Sequence, residues 1–109
     1  MAMPKRVGFT LTFAPEALEH LDSIEVKHHS LLRRTIRAQL THSPTEQTRN
    51  RKPLEQPAPF GATWELRCGF SNRFRVFFDV DEQARVVRVL AIGAKDHERL
   101  TFGGQEYGP

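Results

Sequence analysis

Apolar and polar positions alternate most clearly between Gly61 and Gly93, where three successive β-strands are predicted over 63–68, 73–80 and 86–92, joined by short polar turns. Successive side chains on a strand point to opposite sides. Trp64, Leu66 and Cys68 therefore share one face, as do Phe74, Val76, Phe78 and Val80 on the next strand, and these are the expected core faces. The opposite face carries Glu65 and Arg67, then Arg73, Arg75, Phe77 and Asp79, which is highly charged for mid-sheet positions. The third strand is apolar on both sides apart from Arg88, so it is expected to be central, but periodicity does not say which of its faces is buried.

Upstream, 7–13 alternates with Phe9, Leu11 and Phe13 on one side and reads as the first strand. Ala14-Pro15-Glu16 opens a helix, because proline is tolerated at the first helical position and Glu16 and Glu19 favour the positive end of the dipole. Its stripe is Ala17, Leu18 and Leu21, and its end is expected near Asp22 or Ser23. A second helix is predicted from Val26 or Lys27 to Leu40, with Leu32, Ile36 and Leu40 spaced by four. Arg33, Arg34 and Arg37 project away from that stripe, either as a solvated face or as a docking surface for an acidic partner. The stretch 41–59, broken by Pro44, Pro53, Pro57 and Pro59, reads as a long loop. Arg49, Arg51 and Lys52 within it are either solubility charges on a flexible linker or a phosphate-contacting arm. Residues 94–100 suffice for one helical turn, and 101–109 reads as a glycine-rich tail that packs loosely or frays.

The order β-α-α-β-β-β predicts one small α+β domain over 1–109 with antiparallel neighbours among its later strands. A chain of 109 residues, 39% hydrophobic and 27% charged, suits a single ordinary globular core. No apolar run is long enough to span a bilayer, and the segment 1–6 has no apolar stretch behind it of signal-peptide length, so a cytoplasmic location without membrane contact is expected. Cys68 has no partner for an intramolecular disulfide, and its strand position makes it a small core hydrophobe. His20, His28, His29, His42 and His97 lack metal-site spacing, so neither metal nor cofactor is expected. The net charge of +3 allows RNA or an acidic protein as partner and does not choose between them.

That element order, the basic loop with K-P-L, then W-E-L-R, F-R-V-F-F-D-V and V-L-A-I-G-A-K-D, together resemble the RelE/ParE superfamily of bacterial toxins from type II toxin-antitoxin pairs. The likeness runs from Phe9 to about Phe102 and implies a small twisted, mainly antiparallel four-stranded sheet with a helical hairpin packed on one face and a concave basic face opposite the helices. Members of the RelE branch are metal-independent endoribonucleases that cut messenger RNA in the ribosomal decoding site through attack of a ribose 2′-hydroxyl on the adjacent phosphate. Such chemistry needs a base near the hydroxyl, cations around the phosphate and a donor for the leaving 5′-oxygen. The resemblance places Arg75 at the phosphate-stabilising position, with Arg67 beside it and Lys95 near a second cationic position. This chain departs from the RelE branch in having Thr63 and Glu65 where lysines stand and Thr101 where a tyrosine stands. Relatives with a glutamate base and a C-terminal histidine acid make Glu65 and His97 one candidate substitute pair, the alternative being that Glu65 simply forms an ion pair with Arg67 or Arg75.

The resemblance implies a cognate antitoxin as partner in a hetero-oligomer, with the ribosome and messenger RNA as targets. The competing expectations are a ParE-like inhibitor of DNA gyrase with no catalytic residues, and a non-catalytic antitoxin-binding module that regulates a promoter. Arg73, Arg49, Arg51 and Lys52 are the further candidate phosphate contacts, and Arg33, Arg34 and Arg37 the candidate antitoxin contacts.

Overall fold

The computed structural model describes residues 8–107. Within them the chain runs β1 (Thr10–Phe13), α1 (Pro15–Asp22), α2 (His29–Leu40), β2 (Arg51–Pro53), β3 (Trp64–Cys68), β4 (Phe74–Asp81), β5 (Val86–Asp96), β6 (Arg99–Phe102) and β7 (Gln105–Glu106). This is the expected α+β architecture, with β1, β3, β4 and β5 as the four anticipated strands and β2, β6 and β7 as short additions. The expectations for 1–7 and for 108–109 lie outside the described residues. No helix among the described residues is long and apolar enough to cross a membrane.

The strands are ordered β2-β3-β4-β5-β6-β7 with antiparallel neighbours, and β1 pairs in parallel with β5. β5 is thus central, as its apolar composition requires. Its edge away from β4 is divided: β1 covers Val86 to Val89 and β6 covers Gly93 to Asp96. In the gap between them the Ile92 N–H donates instead to Nδ1 of His20 on α1 (3.2 Å). A side chain thereby replaces a strand partner that a buried backbone donor would otherwise lack.

α1 begins at Pro15 and packs Ala17 and Leu21 inward; a short 3-10 turn over Val26–His28 leads into α2, whose Leu32, Ile36 and Leu40 are fully buried. These side chains meet Leu66, Cys68, Phe74, Val76, Phe78, Val87, Val89 and Ile92, so the helices cover the sheet face that alternation marked as core. The other face is not wholly polar. Phe77, Ala91, Phe102 and Ala62 form a second buried cluster there, with Leu54, Leu90 and Leu100 against it. A bulge at Leu90 explains how: Phe77 pairs with Ala91 and Phe78 with Val89, so Leu90 is unopposed. Leu90 and its neighbour Ala91 then both pack into the second cluster, a local break in the alternation of β5.

Three expectations are corrected. Residues 41–59 are not loop throughout, since Arg51, Lys52 and Pro53 pair with Leu66, Glu65 and Trp64 as an edge strand, the position where a sheet accepts proline. Residues 94–100 form no helical turn; β5 continues to Asp96, His97 turns the chain with φ 57, and β6 returns. The tail from Thr101 to Tyr107 folds back rather than fraying: Phe102 is buried, β7 pairs with β6, and the Tyr107 N–H donates to the Leu100 carbonyl (2.8 Å).

Candidate functional site

β3 and β4 place Glu65, Arg67 and Arg75 on the face away from the helices, with Arg67 directly opposite Arg75 across the ladder. β2 adds Lys52, directly opposite Glu65. The Glu65 side chain is 7% exposed and is surrounded by three cations: Arg75 Nη1 at 3.3 Å from Oε2, Arg67 Nε at 3.6 Å and Lys52 Nζ at 3.9 Å from Oε1. Burying a carboxylate is costly unless it is paired, and here both oxygens are engaged. The three cations differ in access. Arg75 is 12% exposed, whereas Arg67 and Lys52 keep 37% and 48% of their side chains open. The four groups carry a surplus of positive charge toward solvent, and the buried Nε of Arg67 makes no hydrogen bond.

Arg75 is held from a second direction, because its Nε donates to the Asn72 carbonyl (3.3 Å) in the β3–β4 turn. Lys95 lies on the same face, two residues beyond Gly93, the partner of Arg75 on β5. The groups that alternation assigned to one charged face, Glu65, Arg67 and Arg75, therefore do meet, and Lys52 joins them through a nonlocal pairing.

Other anticipated residues sit elsewhere. His97 occupies the exposed β5–β6 turn, 3.8 Å from Asp96. Glu65 lies level with Phe77 and Ala91, so His97 is six residues farther along β5, about 20 Å by strand rise. The structure does not bring Glu65 and His97 together. Arg73 has helical backbone angles ahead of β4, and its guanidinium lies 5.4 Å over the ring of Phe74, a helix-side residue. Alternation fails for Arg73 because the strand has not yet begun.

Arg51 is 4% exposed. Its Nε donates to the Glu46 carbonyl (2.7 Å) and its Nη1 to the Gln39 carbonyl and side chain in the last turn of α2. A cation is favourable at a helix C-terminus, and burial lowers the guanidinium pKa. Arg51 thus ties the 41–50 segment to α2 and does not share the exposure of Arg49 and Lys52.

Arg33, Arg34 and Arg37 are exposed on α2. Two of them, Arg33 and Arg37, rim a groove of about 170 Å³ floored by Leu11, Phe13, Leu18 and Leu21. The edge of β1 away from β5 pairs with no described strand. On the helix side a separate cavity of about 250 Å³ is lined by His28, Arg73 and Phe74 among others, and His28 Nε2 is buried there without a hydrogen-bond partner. No sequence signal marked it, because its walls come from the α1–α2 connection, β5 and the β6–β7 turn. Among the described residues no group of three or more His, Cys, Asp or Glu side chains could hold a metal ion. Cys68 is buried, and burial raises its thiol pKa to about 11.

No protein-family model matches the sequence, and no curated protein does. Among solved structures, the fold is similar to a chain in the crystal structure of the toxin-antitoxin complex RelBE2 from Mycobacterium tuberculosis. The two chains are 20% identical, with a TM-score of 0.66 over 82% of this chain and 100% of that one. The RelE-like fold expected from the sequence motifs is the fold observed.

Proposed function

We propose that this chain is the toxin of a toxin-antitoxin pair and that its open face cleaves messenger RNA on the ribosome without a metal. The observation that carries this reading is the buried Glu65 carboxylate with Lys52, Arg67 and Arg75 around it on one sheet face. The reaction is attack of a ribose 2′-oxygen on the adjacent phosphorus. A new O–P bond closes a 2′,3′-cyclic phosphate, the P–O5′ bond breaks, and the 5′-oxygen leaves with a proton taken from solvent water. Arg75, Arg67 and Lys52 suit the charge that builds on the phosphate oxygens, and Lys95 extends the cationic row. A phosphate that recruits Lys52 and Arg67 releases Oε1 of Glu65, the oxygen those two cations hold, to accept the 2′-hydroxyl proton.

A second reading, a gyrase inhibitor without chemistry of its own, is favoured by one observation. His97 is about 20 Å from Glu65 by strand rise, so the expected acid-base pair is not assembled. In either case an antitoxin segment with acidic and apolar side chains matches the Arg33 and Arg37 groove.

Induced expression separates the readings. Translation arrest with new 5′ ends inside ribosome-bound messages is expected; intact messages with altered plasmid supercoiling would replace the first reading by the second. Arg75→Ala should abolish toxicity while leaving antitoxin binding intact, and a fully toxic variant would remove Arg75 from the site.

A further inference from the structure

The β3–β4 turn presents an aromatic ring that the fold does not use. Phe70 is 91% exposed, and among the described residues its ring meets no other aromatic. Burial of so large an apolar group is favourable, yet the turn is built to hold it out. Ser71 (φ 56) and Asn72 (φ 54) both adopt left-handed backbone conformations, which are strained for serine and better tolerated by asparagine.

Three contacts tie the turn to the sheet. Gly69 lies so close to the buried Phe74 ring that a Cβ there would fall 2.6 Å from Phe74 Cδ2. The Asn72 carbonyl accepts from Arg75 Nε, and the Arg73 carbonyl accepts from the Lys95 N–H (2.7 Å). The turn that exposes Phe70 is therefore the one that orients Arg75. Phe70 is also three residues from Arg67 along the chain, which keeps their backbones within about 10 Å of each other.

An exposed aromatic ring on a turn next to phosphate-compatible arginines suits single-stranded nucleic acid, in which cations follow the backbone and rings stack on bases. Resting on the RNA reading above, we propose that Phe70 is a stacking platform for an unpaired nucleobase of the strand whose phosphate lies at Arg67 and Arg75. The ring tolerates any base, so it contributes affinity and placement rather than sequence choice.

The test compares binding of the purified full chain to a short single-stranded RNA and to an abasic ribose-phosphate oligomer of the same length. Phe70→Ala should weaken RNA binding about tenfold, within the range of one lost stack. Phe70→Trp should retain RNA binding, Phe70→Leu should not restore it, and the abasic oligomer should bind all four proteins alike. Unchanged RNA affinity in Phe70→Ala, or an equal loss with the abasic oligomer, overturns the stacking role while leaving the phosphate face intact. A defect confined to binding of a protein partner also overturns it. Failure of the unmodified chain to bind either oligomer overturns the phosphate reading and this inference together.

Discussion

Glu65 fixes the arrangement of the open face because each of its oxygens is paired, Oε2 with Arg75 and Oε1 with Arg67 and Lys52. Replacing it by glutamine leaves three cations crowded without their counter-charge. Glu65→Gln should destabilise the fold by about 2 kcal/mol, less than a fully buried broken pair because Lys52 and Arg67 reach solvent. Added phosphate should restore part of that loss in thermal melts, and a melting temperature indifferent to both changes would deny the charge cluster. His20 works at the same scale. Burial lowers its pKa from the usual 6.5 against the opposing pull of Glu19 and Glu16, and its unprotonated Nδ1 accepts from Ile92 N–H. With the folded value depressed, the unfolded chain takes up the proton first as pH falls. The contribution of His20 to stability is full above about 6.5 and drains as pH drops through that value toward the lower folded one. Denaturant melts should show weaker folding at lower pH, and His20→Gln should flatten that dependence.

Gly93 lets β6 lie across β5. A Cβ at this position would sit 2.7 Å from Phe102 Cε1, and Phe102 in turn contacts Phe77, Phe60, Tyr107 and His20. Gly93→Ala should cost about 1–3 kcal/mol and expose the C-terminal hairpin to protease before the rest of the chain. Arg51→Ala should leave the sheet intact but free the 41–50 segment from α2, with a stability loss of about 2 kcal/mol and earlier proteolysis there. Elements of this kind mark where sequence reading succeeds. Pro15 and the four-residue spacing of Leu32, Ile36 and Leu40 are local signals, so α1 and α2 were legible within a few residues. Arg51-Lys52-Pro53 carries no alternation, and β2 exists only because β3 offers a partner, whereas β6 and β7 close local two-residue hairpins at His97-Glu98 and Gly103-Gly104 on strands too short to show a period. The cofacial placement of Glu65, Arg67 and Arg75 was readable from strand parity. The approach of Lys52, the turn geometry at Arg73 and the separation of His97 were not, since each depends on where a strand starts, stops or pairs.

At the scale of the molecule, two cores share one sheet: the helix-covered cluster around Phe74, Phe78 and Leu32, and the smaller cluster around Phe77 and Phe102. Cys68 belongs to the first, with its thiol pKa raised to about 11 by burial. Thiol reagents at neutral pH should label it only as fast as the whole domain unfolds, and rapid labelling of the folded chain would contradict that placement. The charge cluster also has a polyelectrolyte consequence. Glu65 cancels one of the three cations around it, so on the RNA reading proposed above a strand on the face would meet a net of about two charges and displace few counterions. Its affinity should fall with salt at a log-log slope of about −1.4, steepening to about −2.1 in Glu65→Gln. On that reading the carboxylate lowers the sensitivity of the face to ionic strength and shifts part of the burden of holding a strand onto contacts that salt does not screen.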